Sequence, residues 1–270
     1  MMDVLGPRMR RGVARVVPDS AGGRAPLLPA ATRRPAAVWK VRDAFLVLGA
    51  GLAFLIAALI VTLGLAQLQE VNAQSAALQA VISTVVSTTF YLFLFWMIRL
   101  LIVQRYRVEW RALGLRMANW QWLAVVPVVN ALLIFSDVLF LRGLVALFGP
   151  SRTWPRQLSQ STLDATQQPV MLALVVVTGL LLTPVIEELL FRGVLYQALR
   201  RRMPVGSAAL ISALIFAVMH GQLLLLIPFT VMGVILALIY ERSGSLWPTI
   251  LVHACNNGII LLFAAGSLPH

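Results

Sequence analysis

Cysteine and lysine are almost missing from this chain, and acidic residues are scarce. Cys255 stands alone, which excludes an intramolecular disulfide and any metal knot built from several thiolates. Lys40 is the one lysine, so the basic side of the charge balance is carried by arginine. Only 10 residues are acidic, and charged residues of both signs make up 12% of the 270. A soluble domain usually carries about 25%. The first thirty residues hold no apolar run of the kind that forms a signal peptide, so no cleavage is expected.

What is abundant is apolar side chain, at 60% of all residues, with a mean hydropathy of +0.87. One water-soluble core of this length could not hide that much. The fold class expected is therefore all-α, a polytopic transmembrane helical bundle. Apolar segments long enough for a hydrocarbon core of about 30 Å fall at 44–66, 77–98, 121–148, 169–197, 205–224, 226–241 and 246–266. That gives seven helices, or eight if the long third segment hides a break. Residues 1–42, rich in Arg, Pro, Ala and Gly, read as a disordered basic tail. The chain then divides into N-terminal membrane segments over 43–168 and a C-terminal membrane core over 169–266.

The formal charge of +12 invites comparison with nucleic-acid-binding proteins. The positions of the basic residues argue instead for membrane orientation, and no nucleic-acid partner is expected. With the N-terminus in the cytoplasm, 18 basic residues lie inside: nine from the tail, five over 99–119, then Arg200, Arg201, Arg202 and Arg242. Arg152 and Arg156 alone lie outside. With seven crossings, an asymmetry of this size is a strong topology signal under the positive-inside rule. The expected location is a bacterial plasma membrane, as an integral multi-pass protein with its N-terminus in the cytoplasm and in contact with lipid. An Arg-rich, acid-poor start also resembles an organelle transit peptide, and a polybasic cytoplasmic tail accounts for it equally.

Ionisable groups left inside the apolar segments are few. They are Asp137, Arg142, Glu187, Glu188, Arg192, His220 and His253. A charged group costs about 2.5–3.5 kcal/mol at mid-helix on insertion scales, so function is the default reading. Glu188 and Arg192 stand at i and i+4, with the acid N-terminal, and are expected to pair. Glu187 points about 100° away and is free for chemistry. The bland alternative is that both carboxylates only neutralise arginines across helices. Phe216 and His220 share a face, and a lone buried histidine is often a satisfied core residue. His253 and Asn257, at i and i+4, could equally hydrogen-bond between helices. Asp137 and Arg142 are expected to serve structural pairing.

Depth draws four of these residues together. Glu187 lies about 20 Å of helix from Arg200, and His220 about 21 Å from Gly206. His253 and Asn257 lie about 12 and 18 Å from Ser245. The four are expected to converge at one level of the bilayer.

The runs E-E-L-L-F-R, F-A-V-M-H and H-A-C-N-N, in this order, resemble the three motifs of the CPBP family, the CAAX-protease and bacteriocin-processing intramembrane peptidases. The flanking R-G-V-L-Y and Y-E-R-S-G-S-L-W-P fit as well, and the resemblance covers about 170–262. It implies an intramembrane endopeptidase acting on a membrane-associated protein or peptide. Glu187 would be general base on a water that His220 also holds. His253 and Asn257 would stabilise the oxyanion, with Glu188, Arg192 and Phe216 in support. A buried carboxylate can serve as such a base, and preorganised donors stabilise developing charge. The family is commonly labelled metallopeptidase, and zinc on Glu187, His220 and His253 would match a catalytic set of two histidines and a carboxylate. No H-E-x-x-H is present, and zinc there would leave only the arginine-paired Glu188 as base. Metal-independent water activation is the expectation. Two rivals stand beside it: a proton- or ion-coupled transporter, and a catalytically silent immunity or scaffold member.

Overall fold

The computed structural model describes residues 37–68, 76–149 and 169–266. Most of the expected tail and nearly all of the segment after the third helix lie outside them. Among the described residues, seven helices run in sequence. The first are α1 (Val41–Leu68), α2 (Ala76–Ile98, continued by a π-helical stretch Arg99–Gln104) and α3 (Val125–Phe148). Helix α4 is continuous over 169–200, and α5 (Val205–Met219), α6 (Leu226–Ser243) and α7 (Trp247–Gly266) follow. No strand occurs among the described residues. Among the described residues, five spans are long and apolar enough to cross a membrane, so this is a helical membrane bundle. The third segment contains no second helix. A short 3₁₀ turn, Trp120–Ala124, runs straight into α3.

The main departure from the sequence reading lies in α5, which ends at Met219 rather than near 224. Its 15 residues rise about 22 Å, short of a full crossing. His220 forms the C-cap, and Gly221 follows at φ +67°, a left-handed conformation that glycine adopts without steric cost. The chain reverses through a 3₁₀ turn, Leu223–Leu225, into α6. Helices α5 and α6 then pack very closely. A Cβ built on Gly233 would come 2.7 Å from the Cβ of Ala213. Only glycine allows that crossing.

Helix α4 departs from α geometry twice, with π-helical runs at Thr178–Leu182 and Leu189–Tyr196 flanking the α-helical Thr183–Glu188. Pro184 explains the first. Thr183 donates its N–H to Thr178, five residues back, and Pro184 has no N–H to give. The carbonyl of Gly179 is therefore left without a donor from its own helix. The second run is buried throughout. Its carbonyls also take bonds from neighbouring elements: Ser212 Oγ donates to Phe191 at 3.2 Å and Trp39 Nε1 to Val194 at 2.9 Å. Such π segments recur at functional sites.

The arginine-rich end of the bundle is tied together by the segment between α2 and α3. Tyr240 Oη donates to the carbonyl of Leu113 at 3.0 Å, and Gln197 Nε2 to that of Ala112 at 3.1 Å. Arg116 Nε donates to the carbonyl of Gly244 at 2.6 Å. Asp43, in the first turn of α1, accepts from the Lys40 N–H at 2.8 Å and from Tyr106 Oη at 2.6 Å. These bonds fix the helix ends from which the depth of each intramembrane residue is counted.

Asp137 and Arg142 do not pair. Neither forms an ion pair among the described residues, and Arg142 is exposed. Five residues along a helix is about 140° around it, so the two side chains leave from different faces.

Candidate active site

Glu187 and Glu188 leave α4 as neighbours and enter different surroundings. Glu188 is fully buried, and its Oε1 accepts from Arg192 Nη1 at 2.6 Å, as the i, i+4 spacing predicts. Arg192 also donates from Nη2 to the carbonyl of Gly233 at 3.2 Å. Its guanidinium lies 4.8 Å from the centre of the buried Phe216 ring, a cation–π contact across α4 and α5. Arginine is the residue for such a place, since its planar fork serves several acceptors and a ring face together.

Glu187 faces the other way. Its Oε1 accepts from Tyr91 Oη on α2 at 2.7 Å. Its Oε2 is buried with no hydrogen-bond partner. It stands 3.8 Å from His220 Nε2 and 3.8 Å from His253 Nε2. Three helices and the α5–α6 turn thus bring four side chains to one spot.

The outer ring nitrogens decide the tautomers. His220 Nδ1 lies 2.7 Å from the carbonyl of Phe216, which can only accept, so Nδ1 carries the proton. His253 Nδ1 lies 3.1 Å from Glu188 Oε1 and donates to it. The neutral His220 ring then turns a bare Nε2 toward Glu187, and His253 Nε2 faces the same oxygen. Phe229 packs on His220 with ring centres 4.2 Å apart and holds its plane.

Asn257 is placed one step aside. Its Nδ2 donates to the carbonyl of Gly179 at 2.9 Å. That is the carbonyl which Pro184 leaves unpaired. No direct bond joins Asn257 to Glu187, His220 or His253 among the described residues. One of its two amide hydrogens remains for another acceptor.

A cavity of about 230 Å³ leads to Glu187 and His220. Its walls are otherwise apolar, from Leu48 and Gly51 of α1, Phe90, Tyr91 and Leu94 of α2, and Leu190, Phe191 and Met219.

Glu187 Oε2, His220 Nε2 and His253 Nε2 offer one carboxylate and two imidazoles, the donor types zinc takes. Zn–ligand bonds of about 2.0–2.1 Å across a 3.8 Å separation require an O–Zn–N angle of about 135°, far wider than tetrahedral. No group of three His, Cys, Asp or Glu in metal-holding geometry is found among the described residues. The same 3.8 Å separations suit a water at ordinary hydrogen-bond distances of about 2.8 Å. As placed, these side chains fit a water better than the ion.

Known proteins supply the context. A family profile described as type II CAAX prenyl endopeptidase, Rce1-like, matches residues 169–259. A protein of Escherichia coli, named "Uncharacterized 24.3 kDa protein", is 31% identical over 155 residues, or 53% of this chain and 71% of that one. A protein of Bacillus subtilis, named "Putative membrane peptidase YdiL", is 31% identical over 105 residues. The chain belongs to the CPBP family. The aligned part is 38% of this chain and 41% of the B. subtilis protein, so the chain spans about two fifths of that relative. No solved structure matches it significantly. All three CPBP motifs fall within the matched segment: Glu187 to Arg192, Phe216 to His220, and His253 to Asn257.

Three features of this CPBP site were not legible in the sequence. Tyr91 lies 96 positions from its partner and outside the matched segment. Neither the contact of Glu188 with His253 nor that of Asn257 with Gly179 is local, and no spacing rule exposes them. A signal existed only for the last, because a proline inside an apolar helix announces freed carbonyls.

Proposed function

We propose that this protein is an intramembrane endopeptidase that hydrolyses a membrane-associated protein or peptide, with Glu187 as the general base. The observation carrying this reading is the convergence of Glu187 Oε2, His220 Nε2 and His253 Nε2 on one buried point beside a cavity. The family description and the apolar walls support a substrate presented from the lipid, of CAAX type or, as an alternative, bacteriocin type. The protein is read as residing in a bacterial plasma membrane with its N-terminus in the cytoplasm.

The chemistry needs one water. Glu187 Oε2 removes its proton while His220 Nε2 accepts its second hydrogen, so the oxygen's electron pair turns toward a peptide carbonyl. The C–O bond forms and the carbonyl oxygen becomes an oxyanion. His253, in its imidazolium form, donates from Nε2 to that oxygen. Asn257 adds its remaining amide hydrogen. The C–N bond then breaks, and the proton held by Glu187 passes to the leaving amine. Water has been added and nothing is oxidised or reduced. Arg192 balances Glu188, and Glu187 faces the ring nitrogens of the two histidines. Buried charge that is paired in this way avoids the desolvation penalty of an isolated ion. Donors fixed in advance in a dry site are worth several kcal/mol at the transition state, on the order of 3 for one oxyanion donor.

The test is hydrolysis of an internally quenched, prenylated CAAX peptide in water enriched in ¹⁸O. The wild type is expected to place one ¹⁸O in the new carboxylate, and Glu187→Gln to give no product while remaining folded. Equal turnover by Glu187→Gln would remove the base from this reading.

A further inference from the structure

We infer that Tyr91 is a positioning residue for Glu187, holding the carboxylate so that Oε2 faces the two histidines; this rests on the reading of Glu187 as the base. The assignment extends the site beyond 169–259, the segment the family profile matches, into the N-terminal half of the bundle.

The argument begins with the freedom of a glutamate. Its last torsion is broad and roughly two-fold, so an untethered carboxylate presents either oxygen in any direction. Glu187 has no arginine of its own, because Arg192 is taken by Glu188. Among the described residues, Tyr91 supplies the hydrogen bond to Glu187: its hydroxyl donates to Oε1 at 2.7 Å. Thr183, one turn before Glu187 on the same face of α4, borders that hydroxyl. The phenol is thus held between two side chains of one helix face. With Oε1 committed, Oε2 is left without a direct partner and points to the two Nε2 atoms at 3.8 Å. A bond from phenol to carboxylate is charge-assisted and among the stronger hydrogen bonds.

Tyrosine suits this task better than a cation would. A lysine or arginine here would neutralise the base, whereas a phenol orients it and leaves its charge in place. The ring also lines the cavity beside Phe90 and Leu94, so hydroxyl and ring do different things. Tyr91→Phe separates them. It keeps the wall and deletes the tether.

The experiment uses the full-length protein in proteoliposomes and the quenched prenylated CAAX peptide. Wild type, Tyr91→Phe and Glu187→Gln are compared per mole of monodisperse folded protein. Tyr91→Phe is expected to lower kcat about tenfold or more, since small misplacements of a reacting group cost up to about a hundredfold, while KM changes by less than about twofold. An unchanged kcat, or a rise in KM alone, overturns the inference and leaves the base assignment intact. Activity surviving in Glu187→Gln overturns both. A readout independent of substrate is the tyrosine Fermi doublet in ultraviolet resonance Raman spectra, taken as wild type minus Tyr91→Phe. Tyr91 is expected to report a strong donor that is lost in Glu187→Ala. A doublet unmoved by Glu187→Ala overturns the tether even if the peptide is not cleaved.

Discussion

His253 stands between the two adjacent glutamates, with Nδ1 3.1 Å from Glu188 and Nε2 3.8 Å from Glu187. Glu188 therefore holds two partners at once, since the same Oε1 takes Arg192 at 2.6 Å. Two residues adjacent in sequence perform separate tasks because a helix turns about 100° per residue. One anchors the frame and the other meets the cavity.

Stability should divide along that line. Glu188→Ala leaves the buried Arg192 guanidinium without its counter-ion, a loss of about 3–5 kcal/mol for a broken buried pair. Glu187→Gln keeps its volume and can still accept from Tyr91. Thermal unfolding in detergent and yield from membranes are expected to fall for Glu188→Ala and to stay near wild type for Glu187→Gln. The reverse order would contradict the division of roles.

Asn257→Ala should affect both fold and rate. It strands the carbonyl of Gly179, at a cost of about 1–3 kcal/mol for a buried unsatisfied group, and in the proposed mechanism removes one oxyanion donor. The expected outcome is a lower unfolding temperature together with a fall in kcat of about a hundredfold or more. A variant that loses stability but keeps kcat would show that Asn257 serves the helix alone.

Much of this architecture is written in the sequence, for a plain reason. Bilayer spans must be apolar over a fixed length, so the helices from Val41 to Gly266 stand out as runs, and each buried charge stands out against them. The Glu188–Arg192 pair follows from helical spacing. The early stop of α5 was less visible, because Leu223, Leu224 and Leu225 resume the apolar run at once. Only the left-handed Gly221 and the turn after it break the run. The family motifs lead to Glu187, His220 and His253, which the fold brings together, but not to Tyr91, whose neutral hydroxyl costs little to bury and leaves no mark.

Orientation is open to direct measurement. Met117, exposed in the segment between α2 and α3, lies among the basic residues assigned to the cytoplasm. Met117→Cys, in a background with Cys255→Ser, is expected to react with a membrane-impermeant thiol reagent from the cytoplasmic side only. Labelling solely from outside would invert the topology.

The most direct test of the central claim, that Glu187 activates water with no metal between them, is made on protein stripped with a strong chelator. Metal content and cleavage of the quenched peptide are measured on the same sample. The account predicts that the stripped wild type holds no stoichiometric metal and keeps its rate, while Glu187→Gln has none. Stoichiometric zinc before stripping, with activity lost on its removal and restored by zinc, would contradict the account and make Glu187, His220 and His253 the ligands.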